Sequence, residues 1–465
     1  MLRRSIALAT RGRCFSSAAA KPAGQLYICG TGESNKLGTG NTRDIEVPTA
    51  VEALADVPIV HVNCGRYHTA ALSADGDVYA WGLESSGQLG VPNRPKAPTP
   101  TKVEALCGIG VRALSCGLYH TLALTEEGDV YSFGFGGSFL NGVGGLGSGD
   151  RAQIDTPTMI ADFKATAVSA GGYHSVALDA DGAAYSWGRG EWGRLGHNDS
   201  TDCYEPTVID SPEIEGGVTT ILAGDVHTGA LTRDGRVCTW GRNENWQLGY
   251  EVTGLLNAGQ SLDAQQEPQV VELPDDGLVA SKLACGELGT AALMSDGKTV
   301  YVWGMVRTHT HTHGPDAPNS PSFVAPCFVR ARHATEPMAP RMYVLCRVGS
   351  SSRIVCPAPR ISKARLSTSV LVATTCASPR PHIAPPSRRR SACGSPHPAA
   401  CACVQMALLT DAGRMYSFGT GPSLGLARTA RKQWELVEVT AHSFDGKRVL
   451  DMHCGPYTTA MIVEP

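Results

Sequence analysis

No stretch of the chain approaches eighteen consecutive apolar residues, so the sequence offers no candidate for a membrane-crossing helix. Aromatic residues are few, at 6%, beside 53 glycines, a balance that suits many short strands joined by tight turns. Cysteine is plentiful at 16, yet no Cys-x-x-Cys pair occurs. Cys64, Cys116, Cys285 and Cys454 fall in one recurring small-residue slot that Ala170 and Ala223 fill elsewhere. A slot open to Cys or Ala is a packing position, which argues against a disulfide framework or a metal site. The glycine-rich stretch Gly134–Gly149 lacks Gly-Lys-Ser/Thr and therefore lacks the signature of a phosphate-cradling loop.

What the chain does have is a long repeat. VNCGRYHTAALSADGDVYAWG from Val62 returns from Leu114, from Val168 and from Ile221. Each copy reads small-Gly, two variable residues, His-Thr/Ser, an apolar run, a turn with Gly, a second run, an aromatic-Gly pair and a Leu-Gly. Thr69–Leu72 and Val78–Trp81 are β-prone runs around Asp75-Gly76, the sequence of a β-hairpin with a tight turn. A lone hairpin is marginal in water, so each copy must bury its faces against its neighbours. The residues that carry the repeat are Gly65, His68, Gly82, Gly117, His120, Gly134, His174, Gly188, His227, Gly241, Gly286, Gly304, Gly419 and Gly455. They are expected to be structural.

These residues resemble the repeat of the regulator of chromosome condensation family. The resemblance implies an all-β fold, a seven-bladed β-propeller. The aromatic-Gly landmark falls at Gly30, Gly82, Gly134, Gly188, Gly241, Gly304 and Gly419, and its first five intervals are 52, 52, 54, 53 and 63 residues. The chain ends in the first half of a repeat (Met452–Ile462), and after residue 24 it begins with a second half. Joining the two halves would complete a blade, close the ring and hide its sheet edges.

Four segments follow. Met1–Ala20 holds four arginines and no acid, and reads as a mitochondrial transit peptide, with a disordered arm as the alternative. Residues 25–304 carry propeller blades, and 406–465 carry the last blades and the closure. Residues 305–405 form an irregular insertion in the sixth blade, expected to be disordered or mis-translated: 306–405 hold 14 prolines, 13 basic residues and two acids, including Thr-His three times over from Thr308.

The net charge of −3 hides an imbalance. The arm through Lys21 contributes +5 and residues 306–405 contribute +11, leaving about −19 on the propeller. Such a ring is ill-suited to nucleic-acid phosphates, so no direct DNA binding is expected, and it suits a basic protein partner. Four histidines, one per blade, cannot converge on one metal, and each is expected to bond backbone within or between blades. Gly188-Arg189-Gly190-Glu191-Trp192-Gly193 fits the Gly-x-Gly-x-x-Gly pattern but opens no helix, so it reads as a repeat loop. Gly134–Gly149 is a glycine-enriched form of that same loop and a candidate partner contact.

No catalytic residue, cofactor or metal site is expected, and the chain reads as a non-enzyme. The resemblance implies a protein-interaction propeller that binds and regulates a small or dynamin-like GTPase, with guanine-nucleotide exchange as the finer reading. The alternative is a non-catalytic scaffold for mitochondrial ribosome or RNA-processing assembly. The expected location is the mitochondrion (matrix or inner-membrane associated), or the nucleus or cytoplasm if the arm is no transit peptide. The plant UV-B receptor branch clusters tryptophans beside the repeat's His. Tyr67, Tyr119, Tyr173 and Val226 stand there, among only seven Trp in all, so that function is not expected. A ubiquitin-ligase role would require sequence beyond the propeller.

Overall fold

The computed structural model is a ring of seven β-sheets. It describes residues 22–92, 96–138, 142–252, 264–274, 277–297 and 299–304, then the strands 327–331, 341–348 and 352–360. From 405 to 465 it describes all but 411, 421–424, 427–431, 440–443 and 445. The arm 1–20 and most of the expected insertion 305–405 lie outside the described residues. Blades are numbered here by their aromatic-Gly landmarks, and strands run a to d from the channel outwards.

Blade 2 is the pattern. Strands Ile59–Cys64, His68–Ser73, Val78–Leu83 and Lys96–Lys102 pair in that order, all antiparallel. The b–c turn closes on Asp75-Gly76, where Gly76 takes φ +84° and Ser73 N–H donates to the Asp77 carbonyl at 2.9 Å. All six residues of strand b are buried, because blades lie against both of its faces, and this is why the run is apolar throughout. Blades 3, 4 and 5 repeat the plan over 111–164, 167–208 and 218–270. Strand d is the outer edge, and Pro48, Pro98, Pro157, Pro206 and Pro268 sit in it, removing the donors that would invite pairing with another chain.

Blade 6 begins with Ala280–Cys285, Gly289–Met294 and Val300–Gly304, and its sheet continues through Cys327–Ala331, Arg341–Val348 and Ser352–Arg360. In blade 7 the described strands are Gln405–Leu409, Met415–Thr420 and Lys432–Glu438. Blade 1 closes the ring as the repeat halves imply. Val449–Gly455 and Thr458–Val463 come from the end of the chain, Gln25–Gly30 and Ile45–Ala50 from its start, with Gln25 opposite Val463 and Gly30 opposite Thr458.

Two devices join blade to blade. In the first, the loop after strand c reaches into the next blade. The carbonyl of Lys36 accepts from Thr69 Oγ1 at 2.9 Å and Trp81 Nε1 at 2.8 Å, and that of Gly145 accepts from Ser175 Oγ at 2.7 Å and Trp187 Nε1 at 2.9 Å. The Leu-Gly that follows plugs the seam: Leu37, Leu89, Leu146, Leu195 and Leu248 are fully buried. A Cβ on Gly38 would stand 2.7 Å from the Trp81 indole nitrogen, and one on Gly196 would stand 2.7 Å from that of Trp240, so only glycine fits there.

The second device uses the recurring histidine. Its partner is a hydroxyl of the next blade rather than the backbone expected from the sequence. His68 Nε2 lies 2.8 Å from Thr121 Oγ1, His120 Nε2 2.9 Å from Ser175 Oγ, His174 Nε2 3.0 Å from Thr228 Oγ1, and His227 Nε2 2.9 Å from Thr290 Oγ1. Each of these hydroxyls donates its one proton to a loop carbonyl, that of Gln88, Gly145, Arg194 or Gln247. The hydroxyl can therefore only accept from the imidazole, which fixes Nε2–H as the tautomer. The ring lies over the repeat's first glycine: a Cβ on Gly65 would be 2.8 Å from His68 Cε1 and 2.5 Å from the Gly117 carbonyl of the next blade.

Burial holds these imidazoles neutral. It pushes His68 and His227 down to about 3 and His120 to about 4, places His174 well below its ordinary value, and lowers His453 to about 3. The unfolded chain binds protons below about pH 6.5 while the folded one refuses them, so stability falls as the pH drops from about 6.5 towards 4. Urea unfolding at pH 7, 5.5 and 4.5 should show uptake of about four to five protons in that window. His174→Ala and Thr228→Val should each cost about 2–4 kcal/mol, with about 1–2 kcal/mol of coupling in their double-mutant cycle.

Candidate functional site

In every blade whose a strand is described, strands a and c end on one face of the ring, so the a–b turns and the c–d loops emerge there together. The turns supply Arg66, Leu118, Gly172, Asp225, Glu287 and Pro456, which rim a central cavity of about 370 Å³. The residue after each comes from the slot before the histidine: Tyr67, Tyr119 and Tyr173, with Tyr457 in the closing blade. These half-buried rings form an arc. Tyr67 stacks on Tyr119 with centroids 5.2 Å apart, and Tyr119 and Tyr173 both pack on Phe135 at 6.3 and 6.2 Å.

Cations thread the arc. Arg66 lies over Tyr67 and Tyr457 at 5.6 and 5.8 Å, and Arg189 over Tyr173 at 5.7 Å. Trp192 has guanidinium groups on it from Arg194, at 5.0 Å, and Arg242, at 4.2 Å. Trp192 and Trp246 hold φ +61° and Tyr457 φ +62°, a left-handed backbone that bulky residues seldom take, and Ser34 holds φ +64° at the matching place in the blade 1 loop.

The mouth of the cavity is ionic. Arg66 Nη1 reaches Glu287 Oε1 at 2.8 Å, joining blades 2 and 6 across the opening. Lys36, 1% exposed, donates from Nζ to the carbonyls of Arg66 and Pro456 at 3.2 Å each, and burial lowers its ammonium to about 8. Arg194, also 1% exposed, is lowered by burial to about 10, and burial raises the Asp225 carboxyl against the pull of Arg194, Arg66 and Arg242. A Cβ on Gly172 would stand 2.2 Å from Asp225 Oδ1, so the carboxyl group has its place over a bare backbone.

Gly134–Gly149 departs from the simple loop read in the sequence. Gly137–Ser138 pairs with Gly142–Val143 as a two-stranded ribbon between strands c and d of blade 3, beside Arg189 and Asp202 of blade 4. Gly188–Gly193 leads into a three-residue 3₁₀ turn, Glu191–Gly193, and not into a helix. The repeat residues hold the scaffold under this face: Gly82, Gly134, Gly188, Gly241, Gly304 and Gly419 end their c strands, and Gly117, Gly286 and Gly455 precede a–b turns. The arginines and tryptophans of the face lie at positions the repeat leaves free, so no periodicity marked them. Among the described residues no three His, Cys, Asp or Glu side chains gather as metal ligands, and no helix is long and apolar enough to cross a membrane. An arc of Tyr, Trp and Arg on a rigid ring has the composition of an energetic centre for protein binding.

The family model for the RCC1-like domain matches residues 5–342. The ultraviolet-B receptor UVR8 of Arabidopsis thaliana is 33% identical over 283 residues, 60% of this chain and 60% of the receptor. The RCC1 domain-containing protein RUG3, mitochondrial, also of Arabidopsis thaliana, is 30% identical over 286 residues, 60% of this chain and 61% of that one. The chain thus spans about three-fifths of the length of these two relatives. The structure of Prp20p from Saccharomyces cerevisiae, described with its binding to Gsp1p and histones, superposes with a TM-score of 0.68 at 20% identity, covering 96% of this chain and 92% of that one.

Removing one partner of the Arg66–Glu287 pair strands the other charge at a half-dry mouth. Arg66→Ala should cost about 2–4 kcal/mol in urea unfolding, and Arg66→Ala with Glu287→Ala should cost less than the sum of the singles.

Proposed function

The chain belongs to the RCC1-like domain family, and from that premise we propose that it is a protein-binding propeller that docks a GTPase on its Tyr-Arg-Trp face. The observation that carries the reading is this face itself. The arc Tyr67, Tyr119, Phe135 and Tyr173, the arginines on it and the ribbon of blade 3 all stand at one end of a ring whose other features repeat. The ribbon is an addition to the repeat at the edge of this face, placed to enter a partner's surface while the ring holds the partner's outside. Insertion of such a ribbon next to a bound nucleotide is a physical route to exchange, by displacing the groups that hold phosphate and magnesium. The partner, not this chain, would carry the nucleotide.

The proposed location is the mitochondrion. It is supported by the acid-free, arginine-bearing arm Met1–Ala20 and by the likeness to the mitochondrial relative. The second reading, a scaffold for mitochondrial ribosome or RNA-processing assembly, draws on the charge of about −19 outside the arm and residues 306–405, which favours a basic assembly.

Affinity capture from mitochondria, with nucleotide stripped and with excess GTP, tests both. A GTPase enriched only in the stripped sample is the expected outcome, and basic ribosomal proteins recovered equally in both samples would replace it with the scaffold. Tyr173→Ala and Arg189→Ala should each weaken capture about tenfold or more, with little change in the urea midpoint. Unchanged capture by both variants would exclude this face.

A further inference from the structure

Polar protons outnumber acceptors on one side of the central cavity. In strand a the residue before the Cys or Ala slot is His453 in blade 1, Asn63 in blade 2, Ser115 in blade 3 and Ser169 in blade 4, and all four line the cavity. Each accepts a backbone N–H from strand a of the next blade. His453 Nδ1 accepts from Cys64 at 3.0 Å, Asn63 Oδ1 from Cys116 at 2.9 Å, Ser115 Oγ from Ala170 at 2.9 Å and Ser169 Oγ from Ala223 at 3.1 Å. Leu222 and Ala284 hold the same place in blades 5 and 6, where there is no side-chain acceptor.

A group that accepts on one side is left with its protons on the other. The His453 imidazole is neutral, because burial lowers it to about 3, and its Nδ1 lone pair is taken by Cys64, so its proton sits on Nε2. Nε2 faces Asn63 Nδ2 at 3.0 Å, and the oxygen of that amide is already on Cys116. An N–H therefore meets an NH₂. Turning the amide over only moves the conflict to Cys116, because both outer groups are backbone donors. The hydroxyls of Ser115 and Ser169 likewise keep a proton that no group among the described residues accepts. Asn63, Ser115 and Ser169 are each more than nine-tenths buried, so bulk solvent does not take up the surplus.

A water molecule would accept from Asn63 and His453, but it brings two protons of its own to a stretch of wall that lacks acceptors. A group with lone pairs and no protons removes the surplus. Asn63 Nδ2 and His453 Nε2 are close enough for one oxygen to accept from both. The full charges on the wall are Arg66, Asp225 and Glu287. Both acids belong to blades 5 and 6, away from the donors of blades 1 to 4. Arg66 stands at the mouth, paired with Glu287 at 2.8 Å, so an entering anion meets a guanidinium first and competes with a carboxylate for it.

We propose that the central cavity, about 370 Å³ in volume, is a binding site for a small oxyanion, a carboxylate or phosphate held by Asn63, His453, Ser115 and Ser169 and admitted past Arg66. The site lies inside the ring and needs no docked protein, so it stands or falls without the GTPase reading.

Calorimetric titration of the full chain with inorganic phosphate and with succinate, ionic strength being held constant with chloride, tests it. Saturable binding of at least one is expected, and saturation by neither overturns the proposal. Phosphate alone identifies a phosphoryl ligand and succinate alone a carboxylate, and either result upholds the site. Asn63→Asp then locates it. The second oxygen of the aspartate accepts from His453 Nε2–H while the first keeps Cys116 N–H, so the surplus is met from within and affinity should fall about tenfold or more. Unchanged affinity in this variant would place the anion elsewhere and overturn the proposal. Should Asn63→Asp fail to fold, isotope-labelled histidine in the wild-type chain decides. The Nε2–H resonance of His453 should move along the same saturation curve as the heat of binding, and a resonance unmoved at saturation would overturn the site.

Discussion

A carbonyl handed from one blade to the next is the contact on which this ring depends. Among the described residues five c–d loops deliver one, the next blade's Thr or Ser donates to it, and at four of these seams that hydroxyl is then left able only to accept from the previous blade's imidazole. Three polar groups are buried together and bonded in a chain, imidazole Nε2 to hydroxyl to carbonyl, where any one alone would be a liability in a dry seam. The repeat is the shadow of this arrangement. His-Thr/Ser supplies donor and hydroxyl, the preceding Gly leaves room for the ring, and Leu-Gly places the carbonyl while its glycine lies flat on the indole. A residue that seems to be a turn glycine, such as Gly38, is kept bare by the Trp81 of a different blade.

That is why the fold was legible and the face was not. Gly65, His68, Gly82 and their counterparts recur because every seam poses the same packing problem, and a recurring problem leaves a period in the sequence. Arg66, Asp225, Glu287, Trp192 and Arg242 occupy the free positions of the same units, so each occurs once. What sequence could say of Tyr67, Tyr119 and Tyr173 was that they are not tryptophan; their stacking into an arc depends on the ring's curvature, which brings equivalent turns of successive blades to about 5–6 Å. The ribbon Gly137–Val143 was hidden for a further reason. Its glycines fit a loop equally well, and two-residue strands leave no alternation to read.

The division of labour also reconciles the charge with the face. The propeller is acidic overall, yet Lys36, Arg66, Arg189, Arg194 and Arg242 gather near the channel mouth. They are held there by rings and by carboxylates, Glu287 on Arg66, Glu191 on Arg189 and Arg194, and Glu244 on Arg242. A guanidinium stacked on a ring keeps its charge while shedding water, and so it can be packed into a surface that a protein covers. Lysine on a flexible stem would do this less well, and the one lysine of the group, Lys36, serves the scaffold.

Lys36 shows how a seam survives without the repeat's histidine. Blade 1 offers Thr458 at the imidazole position, and the hydroxyl of Thr69 across the seam already donates to the Lys36 carbonyl. What the seam lacks is a donor that reaches both blades, and the Lys36 ammonium supplies it, to Pro456 on one side and Arg66 on the other. Its carbonyl and its ammonium thus act on the same seam from opposite ends of one residue. Among the described residues the position is otherwise filled by Gln88, Gly145, Arg194 and Gln247, at seams where an imidazole is present and the loop need only provide the acceptor.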